Sequence, residues 1–205
     1  MANTNVAFGL KPINAAGSAP ATQGTNAYFI GGTADAIFQG SPVKADNGGS
    51  IVVGSATGDT EALVGVFAGC EYVSASTGKK TFSNYWPGSG SADTNFDIIG
   101  YVYDSPMQRF IVCTDASITN EATARAAIFE NAAISSGASG STTTGISSAA
   151  MDIDGLSSAN TSLPLKVVGI QKDVDNEDFA AAGIQMIVMI NNHALLQADS
   201  EAATS

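Results

Sequence analysis

Short apolar runs recur along the chain between polar turns, and this spacing is typical of strands rather than of long helices. The runs are rich in β-branched and aromatic residues, which pack well on a pleated surface. They lie at residues 27–30, 50–54, 62–69, 96–104, 108–114, 165–170 and 184–190. Gly-Gly, Asn-Gly, Pro-Gly and Ser-Pro pairs occupy the gaps and mark turns. The pattern predicts an all-β fold, a barrel or sandwich of short strands.

One short helix is predicted near residues 120–132. No longer helix is expected elsewhere in the chain. Thr119 or Asn120 can cap its N-terminus, and Glu121 lies in the first turn, where the helix macrodipole favours a negative charge. A helical turn inside a long loop is the alternative. In the helix, three residues would form the apolar side that packs on the sheet: Ala122, Ala126 and Phe129.

An extended N-terminal arm is predicted for residues 1–23, which contain Pro12, Pro20 and a run of small residues. Val6, Phe8 and Leu10 alternate with small residues, as in a strand that needs a partner. The Pro- and Gly-containing stretch that follows separates this strand from the body. We therefore expect its three apolar side chains to be buried on a neighbouring subunit, with the arm mobile in the free protein.

The rest of the chain is predicted to form one β domain at residues 24–196, followed by a tail at 197–205. Inside the domain, residues 134–149 are small and uncharged, which is typical of a flexible linker or an exposed loop. In the run at 62–69, Gly65 and Gly69 fall on the same face. This spacing predicts a close approach of another backbone or a curved strand.

The charge of the chain limits its partners. The formal net charge is −11 and the isoelectric point is about 4.1, whereas contact with nucleic acid requires clustered Lys and Arg. The longest apolar run, at 184–190, is far shorter than the roughly 20 residues that span a bilayer. The first residues lack the basic and apolar segments of a secretory signal. We expect a protein that acts without nucleic acid or membrane and is assembled in a cytoplasm.

Few residues could support catalysis or metal binding. Cys70 and Cys113 lie inside apolar runs and are interpreted as small buried residues. The only histidine, His193, follows the last apolar run and is interpreted as a surface or interface residue. The acidic run 173–178 lacks the glycine and the distant glutamate of an EF-hand, so a solvated turn is favoured over a calcium site. We expect no catalytic residue, no metal and no cofactor.

An aromatic pair, Tyr85 and Trp86, lies in a Pro/Gly turn. Such a pair has two interpretations: aromatic anchors buried at a protein interface, where Tyr and Trp are enriched, or part of a sugar-binding surface. The second would make the chain a carbohydrate-binding or host-adhesion module. The interface interpretation is favoured, and the candidate interface residues are Val6, Phe8, Leu10, Tyr85, Trp86 and His193.

Several segments together resemble a family of structural proteins from the heads of tailed phages. The resemblance extends to about Leu196 and is strongest towards the C-terminus. It is carried by ANTNVAFGLKPI (2–13), AIFQGSPVK (36–44), ALVGVFAG (62–69), SGSTTTG (139–145), AAMDID (149–154), LPLKVVGIQKDVDNED (163–178) and IVMINNHALL (187–196).

The resemblance implies a structural virion protein that binds the outer surface of the capsid and stabilises the head as a cement or decoration subunit. It implies the major capsid protein as a partner, and no catalytic residue. We also expect a dimer or trimer of the chain. An acidic chain agrees with an exterior location, since a protein that lines the packaged genome would be basic. Weak contacts of such a subunit would gain strength by repetition across the shell.

Overall fold

A computed structural model of the chain describes residues 6–16, 24–32, 34–54 and 61–196. The predicted all-β fold is confirmed, and these residues contain one short helix, α1 (Glu121–Ala126), and one 3-10 turn at Val174–Asn176. The strands are β1 (Lys11–Ala15), β2 (Asn26–Phe29), β3 (Pro42–Ala45), β4 (Ile51–Val53), β5 (Leu63–Val73), β6 (Lys80–Ser83), β7 (Ile99–Tyr103), β8 (Gln108–Cys113), β9 (Asn131–Ala132), β10 (Ile134–Ser135), β11 (Ala150–Met151), β12 (Leu165–Ile170) and β13 (Gln185–Ile190).

Two main antiparallel sheets form a sandwich. The first has the strand order β1-β8-β13-β12-β9, and the second has the order β2-β7-β5-β3-β4, with β6 also paired to β5. The strands β10 and β11 form a separate small antiparallel pair. Leu63 and Val66 of the second sheet lie in the same buried cluster as Phe110 and Val188 of the first. This shared apolar cluster joins the two sheets.

A second buried cluster lies on the other face of the second sheet. Phe67 and Val102 point into it from the strands, and Ile37 and Trp86 cover them from the connecting segments. The Trp86 indole N–H donates to the carbonyl of Ala34 at 3.3 Å, so its one polar atom is paired although the side chain is fully buried. The second sheet is therefore covered on this face by loops rather than by a third sheet.

The predicted close approach at the glycines of β5 is confirmed. A Cβ at Gly65 would collide with the carbonyl oxygen of Tyr103 on β7, and one at Gly69 would lie 2.9 Å from the carbonyl oxygen of Ser83 on β6. The register of β5 against β7 also shifts between Phe67 and Gly69. A shift of this kind bends a strand, so the small residues serve both the packing and the curvature of β5.

The N-terminal arm packs on its own chain. β1 pairs with β8 in antiparallel register, the Gln108 side-chain amide donates to the carbonyl of Ile13, and Leu10 is only 1% exposed within the core. The prediction that Leu10 is buried on a neighbouring subunit is therefore wrong. The described part of the arm is an edge strand of the first sheet, while residues 1–5 and 17–23 lie outside the described residues.

The helix begins as predicted and then departs from the prediction. Asn120 caps it, because its side-chain oxygen accepts the N–H of Thr123 at 3.0 Å. The helix has only six residues, and its buried side consists of Ala124 and the following Ala127. The residues that were predicted to pack on the sheet are exposed: Ala122, Ala126 and Phe129. The sequence pattern was misread by about half a turn, since alanines occur on both sides of this helix.

The acidic run connects β12 to β13, as the turn interpretation predicted. Asp173 accepts the N–H of Asp175, and the 3-10 turn follows. The buried residue of the turn is Asn176, whose amide donates to the carbonyls of Gln171 and Gln185 at 2.7 and 3.0 Å. Among the described residues, no helix is long and apolar enough to cross a membrane.

Candidate interaction surface

The turn that contains Tyr85 and Trp86 offers little exposed aromatic surface to a partner. Trp86 is fully buried in the cluster behind the second sheet and meets Tyr72 edge-to-face at a centroid distance of 5.2 Å. Tyr85 is half-buried, and its ring stacks on Phe38 at 5.7 Å. The interpretation of Trp86 as an interface or sugar-binding residue is therefore wrong, because its indole has no exposed surface to offer.

His193 is buried rather than exposed, which corrects its interpretation as a surface or interface residue. Its side chain is in the core of the chain at 1% exposure, its backbone pairs with Leu63 at the end of β5, and its Nδ1 accepts the N–H of Leu195 at 3.2 Å. Its Nε2 makes no hydrogen bond of good geometry. Burial lowers the pKa of His193, and the nearby Asp104 opposes this effect without cancelling it. The imidazole is neutral at physiological pH.

Asp104 is the centre of a polar network between β2 and β7. Its carboxylate accepts two hydrogen bonds from the Asn26 amide, at 2.9 and 3.0 Å, and one from the Tyr28 hydroxyl at 2.6 Å. Burial and the bond to Asp104 raise the pKa of Tyr28 to about 12, so the hydroxyl remains a donor. The network gives the oxygens of the buried Asp104 side chain hydrogen-bond donors, and it ties the edge strand β2 to the end of β7.

The described residues contain no group of three or more His, Cys, Asp or Glu side chains that could hold a metal ion. The two cysteines are free and buried, as the sequence predicted. Burial raises the pKa of Cys70 to about 12 and that of Cys113 to about 11. Both thiols are therefore protonated at neutral pH, which makes them weak nucleophiles and weak metal ligands.

The N-terminal segment lies against the connection that precedes β3. The N–H of Leu10 donates to the carbonyl of Gly40 at 2.9 Å, and the N–H of Gly40 donates to the carbonyl of Phe67 on β5 at 2.8 Å. The contact is close enough that a Cβ at Gly9 would lie 2.6 Å from the oxygen of Gly40. The exposure of the side chains falls along this segment. Val6 is 67% exposed, Phe8 is half-buried and Leu10 is buried.

The Ser/Thr/Gly loop is held by the same connection. The N–H of Gln39 donates to the carbonyl of Gly145, and the N–H of Ser147 donates to the carbonyl of Gln39, both at 2.9 Å. The amide of Asn84 also donates to the carbonyl of Thr144 at 2.8 Å. Of the two interpretations of 134–149, the exposed loop agrees with the structure, because residues 141–144 are exposed. The flexible linker does not, since backbone hydrogen bonds join the segment to the body of the protein.

A groove of about 530 Å³ lies where the N-terminal segment, the loop and the first sheet meet. Its lining is mainly apolar with two amide side chains, and Ile146 at its rim is 40% exposed. The side chain of Lys11 also lines it, so this surface can accept an apolar side chain, hydrogen-bond its backbone and meet an acidic group. We name it the junction groove, and it is lined principally by Phe8, Pro12, Gln39, Ile111, Ile146 and Gln185.

Comparisons of the chain with models of protein families, with curated proteins and with solved structures found no match. The resemblance expected from the sequence rests on seven segments. Four of them meet beside the junction groove: the arm segment from Val6 onwards, residues 36–44, the β5 segment 62–69 and the loop segment 139–145. They are far apart in sequence and adjacent in the fold.

Proposed function

We propose that the chain is a structural protein of a tailed-phage head, which binds the outer surface of the capsid as a cement or decoration subunit. Its partners would be the major capsid protein and other copies of the chain. The observation that carries this proposal is the convergence of four family-like segments at the junction groove. The accessible parts of these segments, Phe8, Gln39 and residues 141–144, would form the contact with the partner.

Two exposed apolar residues suit a contact with another protein: Ile146 at the rim of the groove, and Val6 further along the arm, next to Cys113. Val6 is 67% exposed and Ile146 is 40% exposed, and each would lose this apolar surface to water if a capsid subunit covered it. Full burial of a residue of this size is worth about 1.5 to 3 kcal/mol, so the two exposed fractions together offer about 2 kcal/mol. That is a weak contact by itself, and it becomes useful when every subunit of a shell repeats it.

The charge of the chain supports an exterior position. A net charge of −11 opposes contact with the packaged genome, whose phosphates attract basic proteins. The same charge keeps free copies soluble before assembly. Both effects suit a subunit that is added to the outside of a head.

The proposal is tested with heads of the phage that encodes the chain, prepared without this protein. Purified wild-type chain should bind such heads saturably in a sedimentation assay. A double variant, Val6→Ser with Ile146→Ser, should bind roughly thirtyfold more weakly, which corresponds to the loss of about 2 kcal/mol. Val174→Ser is the matched control, because Val174 is 70% exposed but lies in the turn between β12 and β13.

Two results would contradict this account in different ways. If the wild-type chain does not bind heads at all, the proposed function is wrong. If the double variant binds as tightly as the wild type while remaining folded, the junction groove is not the capsid contact. Circular dichroism of each variant shows whether it has kept its fold.

A further inference from the structure

Part of the second sheet has an uncovered face. Residues that lie directly opposite in an antiparallel ladder have their side chains on the same face. Phe29 on β2 is opposite Ile99 on β7, Ile99 is opposite Glu71 on β5, and Glu71 is opposite Phe82 on β6. These four residues therefore form one row across four strands.

The two ends of the row are exposed and aromatic. Phe29 is 54% exposed and Phe82 is 70% exposed. Tyr101 lies two residues beyond Ile99 on the same face and is half-buried. A shallow hollow of about 490 Å³ next to the row is lined by Phe82 and Tyr101 among others. We name this surface, formed by Phe29, Glu71, Phe82, Ile99 and Tyr101, the open face.

Both borders of the open face are sheet edges. β2 is the outermost strand of the second sheet, and among the described strands β6 pairs only with β5. Phe29 and Phe82 thus stand at opposite borders of the same row. Large apolar side chains on strands with free edges are common at protein contacts, because exposed edges and apolar patches otherwise favour aggregation.

The open face is nearly neutral, although the chain is strongly acidic. Its one acidic residue, Glu71, pairs with Lys80 at 2.9 Å, and the ammonium of Lys80 lies 5.4 Å from the centre of the Phe82 ring. The hydrogen bond from Lys80 lowers the pKa of Glu71, which favours the carboxylate form of Glu71 in this pair. The connections that border this end of the face add Lys79, Asp93 and Asp97. A second acidic copy would therefore meet little repulsion here.

We propose that the open face binds the same face of a second copy of this chain, in a pair whose twofold axis runs parallel to the strands. A rotation about that axis reverses the order of the row, so Phe29 of each copy lies over Phe82 of the other. The inference rests on one part of the proposed function, namely that copies of the chain bind one another. It does not depend on binding to the capsid.

The available area indicates a weak pair. An aromatic side chain offers on the order of 200 Å², so the exposed fractions of Phe29 and Phe82 amount to about 250 Å² in each copy. Two copies would remove about 500 Å² from these side chains alone, while a stable interface buries about 1,600 Å² in total. The remainder of the open face adds to this area. We expect reversible pairing with a dissociation constant on the order of micromolar.

Sedimentation velocity of the purified chain over a concentration series tests the pairing. The wild type should move from one to two copies per particle as the concentration passes through the micromolar range. Phe29→Ser and Phe82→Ser should each raise the dissociation constant at least about tenfold. Phe129→Ser is the matched control, because Phe129 is 71% exposed and lies after α1 instead, so this variant should pair like the wild type.

Disulfide cross-linking tests the orientation of the pair. An equal mixture of the Phe29→Cys and Phe82→Cys variants should form a cross-linked dimer under mild oxidation, while each variant alone should not, because the twofold axis places unlike positions together. The native cysteines are buried and should not interfere. A wild-type chain that stays single at every concentration would overturn the inference, and so would cross-linking of each variant only with itself. Neither assay contains phage heads, so these outcomes leave the capsid-binding proposal to its own test.

Discussion

Leu10 provides the sharpest test of how the N-terminal segment is packed. Its side chain is 1% exposed in the cluster that joins the two sheets. Leu10→Ala removes three carbon positions from this cluster and leaves a cavity, because the surrounding strands can relax only in part. Substitutions of this type cost about 2 to 5 kcal/mol. For a domain of this size, each kcal/mol lowers the melting temperature by about 2 to 4 °C. A loss of about 3 kcal/mol should therefore lower it by about 6 to 12 °C.

The measurement is thermal unfolding of the isolated chain followed by circular dichroism, with urea unfolding as a second determination of the free energy. Val6→Ala is the matched control, since Val6 lies in the same segment at 67% exposure and should change the stability by less than about 0.5 kcal/mol. If Leu10→Ala is as stable as the wild type, the segment does not pack on the body of the free protein. Leu10 would then be available to a neighbouring subunit, as the sequence pattern suggested.

Three further predictions concern buried groups. Gly65→Ala should lower the free energy of unfolding in urea by at least about 2 kcal/mol, because its Cβ meets the backbone of β7, whereas Gly48→Ala, with open space around it, should have little effect. Because the pKa of His193 is lowered in the folded protein, the unfolded chain takes up the proton at a higher pH than the folded chain. The free energy of unfolding should therefore fall as the pH drops below about 6.5. In parallel urea titrations, His193→Gln should lack this part of the pH dependence. Cys70 and Cys113 should resist a thiol reagent at pH 8 in the native protein and react after unfolding, and rapid labelling of the native state would show that their burial is wrong.

The sequence predicted the longer strands well and missed several short ones, including β3 and β9, which contain buried residues. All seven apolar runs contain strands, since a chain segment with β-branched residues on a buried face has few alternatives. The edge strand β6 was missed because three of its four residues are polar and none is fully buried. Lys80 begins β6 and pairs with Glu71 across the ladder. Exposed edges carry a weak apolar pattern, and their pairing depends on the neighbouring strand.

The candidate surfaces could be predicted only in part. The sequence singled out the alternating residues of the arm, but it gave no sign that Leu10 would bond to Gly40, because such a contact depends on how distant segments pack. The same limit applies to Trp86, whose Pro/Gly turn suggested exposure although residues 34–38 cover its ring. The row of the open face was also out of reach, since it depends on the register of four strands from different parts of the chain.

The central claim, the proposal that the chain is a capsid subunit of a tailed phage, is tested most directly by counting its copies in purified phage particles. Quantitative mass spectrometry against the major capsid protein gives this number. A cement or decoration subunit should be present in hundreds of copies per head, in a fixed ratio to the capsid protein, because it occupies equivalent positions across the shell. A handful of copies, as in a tail or adhesion component, or no copies at all would contradict the account.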